Sequence, residues 1–171
     1  TVRLHETRRD VPFARDEWNA LAAGNAVSTV FQTFQWFDTW WAAFGDRHRL
    51  FLLTLHDGGA PAGLLTLMRV PGPAGLRQLE FTGTPNSDYQ DIVLPRRGAE
   101  AMRAMCEALQ ATRADWDMIV LRNLRADSPS LAELAAECRR LGFGFMDMER
   151  QPCPTLRLRG REPGPGKLLD N

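Results

Sequence analysis

The sequence lacks the residue patterns that mark secreted, membrane-spanning and nucleic-acid-binding proteins. It has three cysteines, Cys106, Cys138 and Cys153, and none of them belongs to a C-x-x-C pair. So sparse a set excludes a disulfide framework and indicates reduced thiols in a cytoplasmic protein. No apolar run approaches the roughly 20 residues that span a bilayer, and nothing resembles a signal peptide. The net charge is zero, with 21 basic and 21 acidic residues, which argues against a protein dedicated to binding nucleic acid or anionic membranes.

Signatures of common catalytic and metal sites are also missing. The sequence contains no Gly-x-Ser-x-Gly elbow, no Walker loop and no dinucleotide-binding fingerprint. The three histidines lie far apart and lack the His-x-x-x-His spacing of metal ligands, so we predict no metal site. Arginines cluster at 96–97, 139–140 and 157–161, and we interpret these clusters as solvated surface.

Apolar residues recur at helical spacing in four segments. Between Thr33 and Phe44 aromatic residues lie on nearly every side of the predicted helix, which must therefore be covered on most sides. Ser128 followed by Pro129 is typical of a helix start, and Gly142 of a helix end. The predicted helices are 13–23, 33–44, 98–112 and 129–141.

Strands are predicted from short apolar runs that are separated by turn residues. The runs at 50–56 and 62–70 flank Asp57-Gly58-Gly59, which predicts a β-hairpin. Residues 50–53 do not alternate, so this strand should be buried on both faces, whereas residues 78–81 alternate as on a half-exposed strand. Further strands are predicted at 91–94, 116–121, 145–148 and 155–158, with a loop at 83–88.

The order of these elements predicts an α/β (α+β) fold. A strand and two helices come first, an antiparallel meander follows, and strand–helix–strand units complete the chain. A meander followed by crossover units gives one continuous mixed sheet with helices on both faces.

This element order resembles the GNAT acyltransferase fold, in which two early helices precede an antiparallel meander and a strand that leads into a helix. Four segments narrow the resemblance: Phe31 to Trp41, the hairpin after Phe44-Gly45, the loop from Ser87 to Asp91, and Trp116 to Leu121. Over residues 1–159 the chain is similar to bacterial GNAT proteins of the CelD (cellulose-biosynthesis) type, which are related to the FemAB peptidoglycan-bridge transferases.

The resemblance implies that this chain is the first of two GNAT-like halves of an acyl-CoA-dependent N-acyltransferase and is not active alone. Its partners would be the second half of the same protein and a small-molecule or cell-envelope amine acceptor. Acyl-CoA or acetyl-CoA would be the co-substrate of the full-length protein, bound by the second half and not by this chain alone. Residues 160–171 would then be a Pro/Gly linker leading toward that second half.

The family binds the CoA pyrophosphate with a Gln/Arg-x-x-Gly-x-Gly/Ala loop at a helix start, where backbone N–H groups and the helix dipole attract phosphate. The segment in the corresponding position runs from Pro95 to Glu100, and Arg96, Arg97 and Gly98 are its candidate cofactor-binding residues. It has a single glycine, and Glu100 would bring negative charge toward a phosphate. The alternative is an ordinary helix start.

Acylation of an amine needs a base for the amine proton and an acid for the leaving thiolate. Tyr89, the only tyrosine, lies in a loop with Asp88 and Asp91, and these three are the candidate catalytic residues. The alternative is an Asx-turn that starts a strand, with Tyr89 half packed. The candidate substrate-binding residues are Gln35, Trp36 and Ser87, and the alternative for Gln35 and Trp36 is helix packing.

A different class of function is a non-catalytic, degenerate GNAT-fold domain for protein interaction or dimerisation, because a fold does not fix a function. The zero net charge and the aromatic helix at 34–44 would fit such a surface. A dimer that buries Trp36 or Trp40 would favour this alternative, and a monomer that hides its tryptophans would weaken it.

Overall fold

The computed structural model describes residues 1–96 and 99–148, which form one five-stranded mixed sheet in the order β1-β2-β3-β4-β5. Strands β1 to β4 pair with one another in antiparallel orientation, and β5 pairs with β4 in parallel. The predicted single sheet is therefore confirmed. The strands are β1 (Val2–His5), β2 (Arg49–Asp57), β3 (Ala60–Pro71), β4 (Arg77–Phe81) and β5 (Met118–Val120); the α-helices are α1 (Arg15–Gly24), α2 (Phe34–Phe44), α3 (Ala99–Ala111) and α4 (Pro129–Leu141); short 3₁₀ turns lie at Arg8–Asp10, Val30–Gln32, Gly45–Arg47, Pro73–Gly75 and Arg113–Asp115.

Helices cover both faces of the sheet, as the element order predicts. The strand β2 supplies side chains to both apolar layers, because successive side chains of a strand point to opposite faces. Leu50 and Leu52 pack with Trp18 of α1 and Phe37 of α2, and the intervening Phe51 packs in the layer of α3 and α4. Each of these three β2 residues is 0% exposed, so the prediction of burial on both faces is confirmed, and each contributes roughly 1.5–3 kcal/mol.

The helix and turn signals read from the sequence are also confirmed. Gly58 and Gly59 take φ values of 55° and 89° between β2 and β3, a left-handed backbone that glycine adopts at little cost. The Ser128 hydroxyl accepts a hydrogen bond from the backbone N–H of Ser130 and caps α4, in which Pro129 is the first residue. Gly142, with φ 74°, ends this helix.

The predicted strand at 91–94 is wrong, because only one residue of that segment bridges to the sheet. Val93 exchanges two backbone hydrogen bonds with Leu64 of β3, with N···O distances of 2.9 and 3.0 Å. Neighbouring backbone N–H groups are bound by side chains instead: Leu94 donates to Asn25 Oδ1 at 3.0 Å, and Ile92 to Asp91 Oδ1 at 2.7 Å. These side chains compete with a strand ladder for the backbone donors, so regular pairing does not propagate.

The alternation at 78–81 predicts a half-exposed strand, but the polar face of β4 is buried. Gln78 and Glu80 are 6% and 8% exposed. The Gln78 amide donates to the Glu80 carboxylate, which Arg122 also contacts at 3.4 Å. Polar residues in a strand therefore indicate a wet face only where no neighbouring side chain satisfies them.

Two other strand predictions differ from the structure. The buried strand predicted at 116–121 is reduced to the half-buried β5, because β5 is the last strand of the sheet within the described residues. Residues 145–148 form no strand, and Met146 and Met148 are 77% and 83% exposed. The strand predicted at 155–158, the linker predicted at 160–171, Cys153 and the arginines at 157–161 lie outside the described residues.

Candidate functional site

The candidate site lies beyond the carboxyl ends of the parallel strands β4 and β5, the edge of an open α/β sheet at which ligands usually bind. The two strands pair from Gln78–Met118 to Glu80–Val120. Residues 82–91, which we name the crevice loop, then turn into the space between the strand ends. Gln90 of this loop forms a parallel bridge with Leu124, which follows β5. The chain itself therefore occupies the crevice between β4 and β5.

Hydrogen bonds fix the crevice loop to the segment that follows β5. Asn123 Nδ2 donates to the carbonyl oxygen of Ser87 at 2.8 Å and to Asp88 Oδ1 at 3.2 Å. The Ser128 hydroxyl donates to Asp91 Oδ2 at 2.6 Å. Asn123 adopts φ 59°, a left-handed conformation that asparagine tolerates better than most residues. The loop is thus tied at both its middle and its end.

Two tryptophans of α2 hold the other side of the crevice loop. Trp36 Nε1 donates to Ser87 Oγ at 2.7 Å, and Trp40 Nε1 donates to Asn86 Oδ1 at 3.1 Å. The loop passes so close to Ser87 that a Cβ at Gly83, where φ is 102°, would lie 2.2 Å from Ser87 Oγ. Glycine at this position therefore permits both the close approach to Ser87 and the left-handed backbone.

Four of the sequence-predicted site residues, including Asp91, lie in this loop, but their environments differ. Ser87 is buried, Asp88 is exposed and Tyr89 is half-buried with φ 52°. Tyr89 also accepts, through its carbonyl oxygen, a hydrogen bond from the Thr29 hydroxyl at 3.5 Å. Gln35 does not join them, because its Oε1 accepts from Asn19 of α1 at 2.9 Å.

Asp91 is the most enclosed carboxylate of the predicted set. It is 4% exposed, and its two oxygens accept the hydrogen bonds from the Ile92 backbone and the Ser128 hydroxyl. A carboxylate satisfied in this way joins the end of the crevice loop to the first turn of α4. The geometry fits an anchor better than a group that exchanges protons with a substrate.

A groove beside the crevice loop was not predicted from the sequence. Its volume is about 270 Å³, slightly below the usual range of small-molecule sites. Among its lining residues, the Arg125 guanidinium forms a bidentate pair with Asp127, with N···O distances of 2.8 and 2.6 Å. The hydrogen bond from Arg125 lowers the pKa of the Asp127 carboxyl and raises the pKa of Arg125. The groove is lined by Ala26, Val27, Ser28, Thr29, Arg125, Asp127 and Pro129.

The candidate cofactor segment is described only in part. Pro95 is half-buried against Gly24 at the end of α1, and Arg96 is exposed. Arg97 and Gly98 lie outside the described residues, and α3 begins with Glu100 in its first turn. The segment thus lies directly before a helix, as predicted. The N-terminal end of a helix attracts anions, but here Glu100 already places a negative charge there.

Other candidate chemistry is limited in the part of the chain that the structure describes. No three histidine, cysteine, aspartate or glutamate side chains there cluster as metal ligands would. Burial raises the pKa of the Cys106 thiol to about 12, and burial also raises the pKa of Cys138. Such thiols are poor nucleophiles because little thiolate forms. Within residues 1–96 and 99–148 no helix is both long and apolar enough to cross a membrane.

Comparison with known proteins identifies the fold. No protein-family model and no curated protein matches the chain by sequence. Among solved structures, a ribosomal-protein-alanine N-acetyltransferase from Brucella melitensis biovar Abortus 2308 is 18% identical with a TM-score of 0.54, over 91% of this chain and 98% of that one. A putative acetyltransferase from Agrobacterium tumefaciens str. C58 is 19% identical with a TM-score of 0.52, over 90% and 99%. The chain therefore has a GNAT-like fold.

Proposed function

We propose that this chain is the acceptor-side domain of an acyl-CoA-dependent N-acyltransferase, and that a second GNAT-like domain holds the acyl-CoA. The observation that carries the proposal is the contrast at the carboxyl ends of β4 and β5. The crevice between the strand ends is filled by the chain's own loop, while a polar groove beside it stays open. A domain built in this way can present one small substrate but has little space for a long cofactor arm.

Two features argue that acyl-CoA binds elsewhere. Opening the crevice would break the hydrogen bonds that Asn123 and Ser128 make with the crevice loop. The segment before α3 also offers a single glycine, and Glu100 opposes a bound pyrophosphate. CoA contacts would have to offset both the broken hydrogen bonds and the repulsion by Glu100. A domain with an open crevice and a glycine-rich loop would bind CoA without these two penalties.

The open groove has the groups that an amine acceptor needs. Asp127 is a carboxylate at its rim, and the side chains of Ser28 and Thr29 add hydroxyl groups. An ammonium group that approaches Asp127 would share this carboxylate with Arg125, through a charge-assisted hydrogen bond to a lone pair that the bidentate pair leaves unused. Thr29 also contacts the backbone of Tyr89, so the groove and the predicted catalytic loop adjoin.

In the proposed reaction the neutral amine nitrogen attacks the thioester carbonyl, a C–N bond forms and the C–S bond breaks. The amine loses a proton to a base, and the departing thiolate takes up a proton as free thiol. Tyr89, whose carbonyl oxygen accepts a hydrogen bond from Thr29 of the groove, is the proposed acid, with Asp88 beside it as the candidate base. Backbone N–H groups of the second domain would polarise the carbonyl oxygen.

Calorimetry with acetyl-CoA and NMR titration with a small primary amine test this division of labour on the chain itself. We expect no heat of binding from acetyl-CoA. We expect the amine to shift the backbone resonances of residues 26–29 and 125–129. Asp127→Asn should weaken amine binding about tenfold, the loss expected for a charge-assisted hydrogen bond. The matched control Asp16→Asn changes an exposed carboxylate of α1. Tight binding of acetyl-CoA would overturn the proposal.

A non-catalytic interaction domain is the second candidate, and the exposed apolar residues after α4 favour it. Phe145, Met146 and Met148 are 41%, 77% and 83% exposed. The tryptophans of α2 give this candidate little support, because Trp40 is 5% exposed and donates to Asn86 within the chain, whereas Phe44 at the end of the same helix is 44% exposed. Light scattering separates the candidates: a stable dimer that does not bind amines favours interaction, and an amine-binding monomer favours the acyltransferase domain.

A further inference from the structure

A small cavity lies between α2 and the two ends of the crevice loop, where Thr82, Gln90 and Asp91 line it. Its volume is about 10 Å³, which is close to the minimum that holds one water molecule. Trp36, Phe37 and Trp40 form an aromatic wall, and Gln32 and Thr82 are among the polar residues that line the rest. The cavity is therefore too small for an organic ligand and polar enough for water.

The side-chain amide of Gln32, a residue that lines the cavity, has an unused hydrogen-bond donor. Gln32 is 6% exposed, and its Oε1 accepts the backbone N–H of Thr29 at 3.2 Å. That hydrogen bond fixes which end of the amide carries the oxygen. Gln32 Nε2 is buried and makes no hydrogen bond with the described residues. A buried amide donor without an acceptor is costly, so this atom calls for a partner.

Thr82 presents a second unsatisfied group. It is 4% exposed and is the first residue after β4. Its backbone is fully used, because its N–H donates to Thr66 at 2.9 Å and its carbonyl oxygen accepts from Gln90 at 3.1 Å. Its hydroxyl Oγ1 is buried and makes no hydrogen bond with the described residues. The two residues that carry these orphaned atoms thus line one cavity.

We propose that this cavity is a specific site for a single buried water molecule that bridges Gln32 to Thr82. The water accepts a hydrogen bond from Gln32 Nε2 and exchanges one with Thr82 Oγ1, so each orphaned group gains a partner. A buried water normally makes two to four such bonds. The bridge joins the segment before α2 to the start of the crevice loop, and so adds a tether at the end of the loop that Asn123 and Ser128 do not reach.

A crystal structure of the chain at about 1.5 Å resolution tests the proposal directly. We expect a density peak within hydrogen-bonding distance, about 2.7–3.2 Å, of both Gln32 Nε2 and Thr82 Oγ1. A cavity without such a peak, or a Gln32 side chain rotated onto a protein acceptor, would overturn it.

The variant Thr82→Val gives an independent test, because the sign of its effect differs between a hydrated and a dry cavity. Valine keeps the shape of threonine and removes the hydroxyl. If water bridges the two groups, the variant loses a hydrogen bond and its urea midpoint falls. If the cavity is dry, the variant removes an unsatisfied polar group and the midpoint stays or rises.

Amide exchange locates the effect and provides the control. In Thr82→Val the backbone N–H of Asn86, which donates to Gly83 at 2.7 Å within the loop, should exchange about fivefold faster, as expected for the loss of one hydrogen bond. Exchange in α3 should not change. The matched variant Thr39→Val lies on an exposed position of α2 and should leave the exchange of the loop unchanged. Equal exchange of Asn86 in Thr82→Val and the wild type would contradict the bridge.

Discussion

The two faces of the sheet are covered in different ways. Under α3 and α4 apolar packing dominates, with Leu79, Met105 and Leu109 in one continuous layer, to which Trp116 adds a buried hydrogen bond from its indole to the Leu109 carbonyl at 3.1 Å. Under α1 and α2 apolar packing is joined by hydrogen bonds of indole groups, such as those from Trp36 and Trp40 to the crevice loop. The α3/α4 face is stabilised mainly by close packing of apolar side chains. The α1/α2 face is stabilised in addition by hydrogen bonds from Trp36 and Trp40, whose strength depends on their direction. Substitutions on the two faces should therefore lower the free energy of unfolding for different physical reasons.

The largest loss is expected from Met105→Ala, on the α3/α4 face. Met105 is 0% exposed, and removing its side chain leaves a cavity that should cost about 3 kcal/mol of unfolding free energy. Urea unfolding followed by circular dichroism measures the loss. Met148→Ala, at a residue that is 83% exposed, is the control and should change little. If Met105→Ala lost less unfolding free energy than Gly83→Ala or Ser87→Ala in the crevice loop, the expected order of the two faces would be reversed.

Gly83→Ala should be the most damaging change on the other face, at about 2 kcal/mol. The new Cβ would meet Ser87 Oγ at 2.2 Å on a backbone with φ 102°. Gly59→Ala separates strain from clash, because Gly59 has φ 89° but nothing within 4 Å of its added Cβ. We expect that control to cost about 1 kcal/mol. Equal losses in the two variants would show that the loop adjusts to the clash.

Ser87→Ala tests the directional contacts alone. It removes the acceptor of Trp36 Nε1 with little change of volume, and the loss of one hydrogen bond should cost about 1 kcal/mol. The tryptophan fluorescence should shift as the indole changes its environment, while the α3/α4 face stays unaffected. The control is Ser28→Ala, at a serine of the open groove. Ser130→Ala would be unsuitable, because Ser130 is 0% exposed.

The smallest effect concerns pH. Burial lowers the pKa of His5 below its ordinary value of 6.5, and His5 Nε2 shares a hydrogen bond with Thr54 Oγ1 at 2.9 Å. The unfolded chain therefore binds the proton more readily than the folded chain, so stability should fall as pH falls below about 6.5. Urea midpoints between pH 7.5 and 5.5 measure the fall, and His5→Gln should reduce it. An equal pH dependence in the variant would assign it to other groups.

How far the sequence predicts the structure differs between these regions for a physical reason. The apolar period of 50–53 and the glycines at 58–59 are local signals, and the hairpin with its two buried faces follows from them. The crevice loop depends on bonds such as Asn123 to Ser87, whose partners are 36 positions apart. A local hydrophobic period carries no information about such a pair. The sequence therefore predicts a loop at 83–88, but neither its fixed shape nor the groove lined by Arg125 and Asp127.

The same separation in the chain explains why Gln78 and Glu80 are buried where alternation predicts exposure. Arg122, which covers Glu80, lies 42 positions further along. Hydropathy describes each residue by itself, whereas burial of a carboxylate depends on the cation or amide that meets it. Predictions of polar burial therefore need the tertiary fold.

The parallel pairing of β4 with β5 has a consequence for the order of folding. The meander from β2 to β4 joins neighbours in the chain, but Gln78 meets Met118 only after the whole of α3 has been placed between them. Pairings between distant residues form slowly because loop closure costs entropy before any contact offsets it. The crevice loop should acquire its fixed shape last, and pulse-labelled hydrogen exchange should protect Leu52 well before Gln90.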